Sequence, residues 1–196
     1  MKRFAIILIA VVFASALTML MAADSPKASI GSTAPEFSLQ NQSGKIVNLA
    51  DFKGKVVVLE WVNPECPFVQ RHYKEKTMST LADKYAPQGV QWLAINSTNS
   101  ADNSGNAAWV SENHLNYPIL NDSSGQTGKA YGAKTTPHMF IIDKTGTLVY
   151  KGAIDDDPRG NKSDRVNYVD QALGEILAGR TVSTPETKSY GCSVKY

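Results

Sequence analysis

The stretch Val56-Val57-Val58-Leu59-Glu60-Trp61-Val62-Asn63-Pro64-Glu65-Cys66-Pro67 decides the fold. Its first seven residues are apolar on both faces except for one glutamate, which is typical of a central strand in a parallel sheet. Asn63-Pro64-Glu65 ends the strand, and a helix is expected from about Cys66-Pro67 to Tyr85, because proline is tolerated in the first helical turn. A second apolar strand follows at Val90–Asn96. The right-handed crossover rule then predicts a parallel β-α-β unit.

The rest of the chain continues an α/β pattern. Further strands are predicted at 34–39, 46–49, 117–120, 138–143 and 148–152, and helices at 107–114, 126–131 and 165–177. The predicted fold class is therefore α/β, with a mixed central sheet flanked by helices and an N-terminal β-hairpin extension. Residues 34–180 are expected to form one domain, between a linker (24–33) and an irregular tail (181–196).

The N-terminus has the pattern of a secretory signal. Lys2 and Arg3 precede an apolar run over residues 4–23, and Ala22-Ala23 offers a cleavage site. The run is longer than a usual signal core, so an uncleaved anchor over residues 1–23 is the alternative. In both interpretations, the body of the protein is exported to the periplasm or the exterior. Contact with a membrane is expected only if the segment is not cleaved.

Charge excludes one class of partner. The chain has 20 basic and 18 acidic residues, and the first 23 residues hold two of the basic ones and none of the acidic ones. The remainder is therefore neutral overall, which gives no basic surface for nucleic acid. His114 and His138 lack the spacing of metal ligands, so neither a metal nor a cofactor is predicted.

Cys66 is the strongest candidate for chemistry. It stands between a strand and a helix, where the N–H groups of the helix N-terminus stabilise an anion. Such a position lowers the pKa of a thiol and raises the fraction of nucleophilic thiolate. The alternative is a buried cysteine that only fills space in the core.

Several segments resemble one known family. Trp61-Val62-Asn63-Pro64-Glu65-Cys66-Pro67-Phe68-Val69 resembles the active-site segment of redoxins, the thioredoxin-like group that includes the AhpC/TSA proteins. Residues 31–39 (GSTAPEFSL) resemble the entry to the redoxin domain, and Lys134-Thr135-Thr136-Pro137 resembles the cis-proline loop. Residues 146–152 resemble the strand pair that follows that loop. Tyr190-Gly191-Cys192-Ser193-Val194-Lys195-Tyr196 resembles the ending of a peroxiredoxin-like branch. The resemblance covers residues 30–196.

The resemblance implies a thioredoxin-like fold and thiol redox activity without a cofactor. Cys66 is then the nucleophile toward a peroxide or a protein disulfide, and a thiol electron-donor protein restores it. Thr136, Pro137 and Pro67 are the substrate-binding residues that the resemblance implies, with a cis bond before Pro137.

The sequence departs from the family motifs at three positions. Val69 stands where thioredoxins have the second cysteine of C-x-x-C, so two cysteines of one motif do not react here. Asn63 and Leu59 stand where peroxiredoxins have a threonine and a proline. The Asn63 amide is the expected replacement for the threonine hydrogen bond.

Cys192 has three interpretations. As a resolving cysteine it would condense with a Cys66 sulfenic acid to form a disulfide. It could instead form a permanent bridge between tail and body, or stay free. The redox-active pair is favoured, with the tail expected to swing toward Cys66.

Three other polar features of the sequence are candidates for a functional role. Glu60 is either a buried acid that relays a proton to Cys66, or a charge that faces solvent or a lysine. Arg71 and His72 either add positive charge near the thiolate or, as favoured, lie on a solvated helix face. The acidic stretch Asp155-Asp156-Asp157 does not have the spacing of an EF-hand and is predicted to be a solvated loop.

The sequence thus predicts an exported thiol-dependent oxidoreductase of the redoxin type. The alternative is a non-catalytic thioredoxin-fold binding module with structural cysteines.

Overall fold

The structure is a computed structural model that describes residues 27–196. The secretory signal or anchor expected over residues 1–23 lies outside the described residues. Within residues 27–196, no helix is both long enough and apolar enough to cross a bilayer.

A mixed sheet forms the centre of the described chain. The strands are β1 (Ser38–Asn41), β2 (Ile46–Asn48), β3 (Val56–Trp61), β4 (Val90–Asn96), β5 (Ile119–Asn121), β6 (Thr135–Thr136), β7 (His138–Ile142), β8 (Leu148–Gly152) and β9 (Cys192–Ser193). Seven of them form one sheet in the order β2-β1-β5-β4-β3-β7-β8, and β6 and β9 form a separate pair. Strands β3 and β4 are parallel neighbours, which confirms the predicted β-α-β unit. The α/β class with a mixed sheet and an N-terminal hairpin is confirmed as well.

Helices cover both faces of the sheet. They are α1 (Pro67–Lys74), α2 (Thr77–Tyr85), α3 (Asn103–Glu112), α4 (Gln126–Tyr131) and α5 (Tyr168–Leu177), with 3-10 turns at Leu49–Phe52 and Ala86–Gln88. Side chains of α1, α2 and α5 pack in one apolar cluster on the first face. The second face is covered by α4 and by the chain before β1.

Alternation along β3 assigns its residues to the two faces. Val56, Val58 and Val62 belong to the first cluster, and Leu59 and Trp61 belong to the second. Every residue of β3 is buried, as expected for a strand with helices on both sides. Since side chains alternate, Glu60 points to the first face, which is also the face of Cys66.

The single helix predicted up to Tyr85 is wrong, because it is two helices. The first ends at Lys74, and Lys76 takes a left-handed conformation (φ 56°) before α2 begins. Residues 74–77 are all polar, so they offer no apolar side chain that would hold a continuous helix against the sheet.

Three other predicted boundaries are also wrong. The first strand begins at Ser38, four residues later than predicted. Helix α3 begins early, after Asp102, because the Asp102 side chain caps the N–H of Gly105 at 2.7 Å. Helix α5 begins only after its Asn167 cap, so Val166, predicted to lie on a buried helix face, is exposed.

The C-terminal segment is not an irregular tail at its end. Strand β9 pairs antiparallel with β6, so that Thr136 lies opposite Cys192. The N–H of Val194 donates to the carbonyl oxygen of Lys134 at 3.1 Å, which extends this pairing. Cys192 therefore does not need to swing toward Cys66.

Candidate active site

The turn after β3 places Cys66 at the start of α1. The Asn63 carbonyl accepts the N–H of Cys66 at 3.0 Å, and the Asn63 side-chain oxygen accepts the N–H of Glu65 at 2.8 Å. Cys66 is the N-cap of α1, and Pro67 is the first helical residue. The local sequence therefore holds the sulfur at a helix N-terminus, where positive potential favours a thiolate.

The sulfur of Cys66 lies under the cis-proline loop. Its thiol donates to the carbonyl oxygen of Thr136 at 3.0 Å, and the peptide bond between Thr136 and Pro137 is cis. Cys66 is only 2% exposed. The sulfur is thus enclosed between the start of α1 and β6.

The surroundings of Cys66 act on its ionisation in opposite directions. Burial raises the pKa of the Cys66 thiol, because the charged form loses solvation. Hydrogen bonds from the Cys192 and Thr136 side chains and from the N–H groups of Val69 and Cys192 act against burial. Together they hold the pKa of Cys66 below its ordinary value.

Cys192 lies beside Cys66, because the Cys66 sulfur contacts the carbonyl of Thr136 and Thr136 is the residue opposite Cys192 in the β6–β9 pair. Burial and the neighbouring Cys66 raise the pKa of Cys192 to about 11, so Cys192 is the protonated member of the pair. Both cysteines are free thiols in this structure. Once Cys66 loses its proton, its sulfur can accept a hydrogen bond from the Cys192 thiol, and a disulfide can form between the two.

Close backbone contacts fix the segment that carries Cys192. Gly191 lies so near the carbonyl of Thr136 that a side chain at this position would clash with it. At the end of the segment, the hydroxyl of Tyr196 donates to the carbonyl of Ala133 at 2.8 Å. The Tyr196 ring covers Gly128, where an added Cβ would lie 2.6 Å from the ring.

A buried polar cluster holds the chain just before Cys192. The Tyr190 hydroxyl donates to Asp155 and contacts His72 Nε2 at 2.9 Å and Arg71 Nη2 at 3.3 Å. Arg71 Nη2 also donates to the Asp157 carbonyl at 3.0 Å. We call Arg71, His72, Asp155 and Tyr190 the tyrosine clamp.

The clamp corrects two sequence predictions. Arg71 and His72 do not lie on a solvated helix face, since His72 is fully buried and Arg71 is largely covered. Asp155 and Asp157 are not in a solvated loop, because both are buried. Burial, followed by the nearby Arg71, lowers the pKa of His72 to about 4, so this ring is neutral at neutral pH.

Glu60 is fully buried on the same face as Cys66. Its carboxylate accepts the N–H of Trp92 at 3.0 Å, and its second oxygen has no partner among the described residues. Burial, only partly offset by hydrogen bonds from Trp92, Tyr73 and Tyr117, raises the pKa of Glu60 to about 7. The alternative in which Glu60 faces solvent or a lysine is therefore wrong.

The other predicted site residues have distinct positions. The Asn63 side chain is engaged with Glu65 and also lines a polar cavity of about 250 Å³ beside the turn. Thr136 is 2% exposed, and its carbonyl oxygen contacts the Cys66 sulfur. Pro67 and Pro137 lie on the two segments that enclose the sulfur.

Sequence reasoning missed Tyr190 and Asp155 as parts of this site. Tyr190 precedes Cys192 by two residues, a spacing that places both side chains on one side of an extended chain. That spacing was the only available signal. The partners of Tyr190 come from α1 and from the loop before α5, far away in sequence.

Comparisons with known proteins identify the family of this chain. The profile of the AhpC/TSA family matches residues 30–151, which end before the segment that carries Cys192. The thiol-disulfide oxidoreductase ResA of Bacillus thuringiensis subsp. konkukian (strain 97-27) is 33% identical over 125 residues, 63% of this chain and 69% of that protein.

Two solved structures are similar over most of the chain. An uncharacterized conserved protein from Geobacillus kaustophilus has a TM-score of 0.78 and 33% identity, covering 86% of this chain and 92% of that one. A hypothetical protein from Sinorhizobium meliloti 1021 has a TM-score of 0.79 and 31% identity, covering 88% and 97%.

Proposed function

This chain belongs to the AhpC/TSA family and is an oxidoreductase with a thioredoxin-like fold, and from that premise we propose that it carries out thiol–disulfide exchange through Cys66 and Cys192. The observation that carries the proposal is the adjacency of the two thiols. Cys66 has a lowered pKa, and Cys192 lies beside it because Thr136 both contacts the Cys66 sulfur and pairs with Cys192.

The exchange proceeds in two balanced steps. The Cys66 thiolate attacks one sulfur of a partner's disulfide, that bond breaks, and the departing sulfur takes up a proton. Cys192 then loses its proton and attacks the Cys66 sulfur, which forms the Cys66–Cys192 disulfide and releases the second partner thiol. A thiol electron-donor protein returns two electrons and two protons to the pair.

Neighbouring residues serve this reaction in defined ways. Thr136 and Pro137 form the wall against which a partner's cysteine would lie, and Pro67 begins the helix that favours the thiolate. Asn63 shapes the turn that holds Cys66. Glu60, with a pKa near 7, is suited to exchange a proton with the buried site.

The names of the relatives favour the same reaction. ResA is named a thiol-disulfide oxidoreductase. In this chain Val69 replaces a second motif cysteine, so the proposed pair joins the start of α1 to β9. A binding module with purely structural cysteines would not require a thiol with a lowered pKa beside a second thiol.

Peroxide reduction is the second candidate, and the burial of Cys66 favours it. A small oxidant needs less access than a protein disulfide, and Cys66 is 2% exposed. The thiolate would attack the O–O bond, giving a sulfenic acid and releasing an alcohol or water after protonation. Cys192 would then condense with the sulfenic acid and release water.

We place the reaction outside the cytoplasm. The apolar run over residues 4–23, preceded by two basic residues, has the composition of an export signal. The protein is then periplasmic or secreted, and is anchored if the segment is not cleaved. An oxidising compartment suits a chain whose cysteines cycle between thiol and disulfide.

Intact-mass analysis of the reduced protein with a disulfide-bonded model peptide tests the function. The wild type is expected to lose two hydrogens and to release a peptide with two thiols. Cys192→Ser should accumulate a mixed disulfide at Cys66, and Cys66→Ser should not react.

A parallel reaction with hydrogen peroxide separates the two candidates. Reaction with the peptide and not with peroxide supports exchange, and the reverse supports peroxide reduction. Thiol–disulfide exchange at this pair is excluded if Cys66→Ser reduces the peptide as fast as the wild type.

A further inference from the structure

A groove beside the cysteine pair carries positive charge. It encloses about 510 Å³ between the first described residues, the loop before β6 and the chain that leads into β9. Four lysines line it, at positions Lys27, Lys134, Lys151 and Lys188. The groove is separate from the enclosed space around the Cys66 sulfur.

A buried histidine offers a hydrogen-bond donor to this groove. His138 is 6% exposed, and its Nδ1 accepts the N–H of Lys134 at 3.2 Å. Burial, with Lys134 and Lys151 nearby, lowers the pKa of His138 to about 4, so the ring is neutral and Nε2 carries the hydrogen. Within residues 27–196, Nε2 has no hydrogen-bond partner.

Acceptors are scarce among the lining residues. Glu186 is the one acidic residue among the described residues that line the groove, and Lys151 already pairs with it at 3.2 Å. Lys134 and Lys188 are exposed and have no acidic partner in the described part of the chain. The groove therefore presents donors and positive charge, which suit carboxylate groups.

The position of the groove relates it to the cysteine pair. Thr135, which lines the groove, is followed by Thr136, the residue opposite Cys192. Ser189 also lines the groove and precedes Cys192 by three residues, which span about 10 Å at most. The groove therefore lies within reach of the residues that flank a partner's reacting cysteine.

We propose that this groove binds acidic side chains of a partner protein that lie within about three residues of its reacting cysteine. The inference rests on the proposed thiol–disulfide exchange and adds a partner chemistry to it. A membrane with anionic lipids would also attract lysines. The groove is recessed beside β6, however, which fits an extended chain better than a flat surface.

The test compares two disulfide-bonded peptides of equal length. One has two glutamates within three residues of a cysteine, and the other has glutamines there. Reduced full-length protein is mixed with each peptide, and the release of peptide thiols is followed in a single turnover. In this reaction the protein pair gives two electrons and two protons to the peptide disulfide.

We expect the glutamate peptide to react about tenfold faster at low ionic strength, because complementary charge speeds association. The advantage should shrink at high ionic strength, where screening weakens exposed charges. In the double variant Lys134→Glu/Lys188→Glu, the rate with the glutamate peptide should equal the rate with the glutamine peptide or fall below it. The matched control Lys45→Glu/Lys53→Glu, at exposed lysines away from the groove, should keep the ratio of the two rates.

Equal rates for the two peptides with the wild type would overturn the groove proposal and leave the exchange reaction standing. The proposal would also be overturned if the control variant lost the rate advantage of the glutamate peptide as fully as the groove variant does. The two peptides could react at equal rates while the protein binds phosphatidylglycerol vesicles through Lys134 and Lys188. That result would reject the groove proposal in favour of a membrane surface. A wild type that reduces neither peptide would overturn the exchange reaction and the groove proposal together.

Discussion

At the scale of single residues, the Cys66 sulfur shows how several weak donors outweigh burial. Burial alone would keep this thiol protonated, whereas the donors from Val69, Thr136 and Cys192 favour the thiolate. A sulfur with a lowered pKa is also the better leaving group. The Cys66–Cys192 disulfide should therefore be readily reduced by a thiol donor, as a catalytic cycle requires.

Glu60 allows a prediction about stability and pH. Its pKa is near 4.5 in the unfolded chain and about 7 in the folded one, so the folded state holds the proton more tightly. The contribution of Glu60 to folding stability then falls as pH rises from about 4.5 to 7, by roughly 3 kcal/mol in all. Glu60→Gln keeps an oxygen for Trp92 and should remove this loss. Chemical unfolding at pH 5 and pH 8 measures it.

The exposed Glu112 supplies the control for that experiment. Glu112→Gln changes the same group at a solvated position and should keep the pH dependence of the wild type. If the stability of Glu60→Gln changes between pH 5 and pH 8 by the same amount as that of the wild type, the ionisation of Glu60 makes no contribution to the change. The Cys66 thiolate titration in the same variant then tests the proton relay separately.

The sequence identified residues when their own neighbourhood was unusual. Glu60 was recognisable because it interrupts an apolar strand, and Cys66 because it joins a strand to a helix. The roles of His72 and Asp155 were not recognisable. Both look like ordinary polar residues until folding brings Tyr190 between them.

At the scale of elements, β9 is held on both sides of Cys192. Tyr190 lies in the tyrosine clamp, and Tyr196 packs on Gly128. Pairing with β6 supplies the backbone contacts between these two anchors. The tail therefore presents Cys192 to Cys66 in a preorganised position.

Tyr190→Phe tests this preorganisation. The change removes one hydroxyl and leaves Asp155 with fewer donors, a loss of about 1–3 kcal/mol for a buried group. We expect the effective concentration of Cys192 toward Cys66, measured by equilibration with glutathione, to fall about tenfold, which corresponds to 1.4 kcal/mol.

Tyr168→Phe is the matched control, because the Tyr168 hydroxyl lies outside the clamp. It should leave the effective concentration unchanged. A Tyr190→Phe protein that loses unfolding free energy but keeps the wild-type effective concentration would show that the clamp is only structural. Positioning of Cys192 by Tyr190 would then be rejected.

Elements with a strong apolar pattern were predictable, and those fixed by polar contacts were not. Strands β3 and β4 follow from their apolar runs, and their parallel pairing follows from the crossover rule. The break between α1 and α2 and the start of α3 depend on backbone geometry and on a capping side chain. Strand β9 depends on a partner strand of two residues, which has no pattern of its own.

At the scale of the whole molecule, the cysteine pair connects the central strand of the sheet to the C-terminal segment. Cys66 follows the central strand β3, and Cys192 lies four residues from the C-terminus. Between them lie β4 to β8 and all five helices. Oxidation of the pair therefore closes a loop that contains most of the folded chain.

Such a loop predicts that oxidation stabilises the fold. In the chain-entropy model a loop of this size contributes at most about 4–5 kcal/mol. The thiolate-favouring surroundings of Cys66 reduce the gain, because they stabilise the reduced state. We expect oxidised wild type to unfold at a higher guanidinium concentration than reduced wild type, with Trp61, Trp92 and Trp109 as fluorescence probes. Cys192→Ser should unfold at one midpoint under both conditions, and a wild type that does the same would show that the two cysteines do not pair.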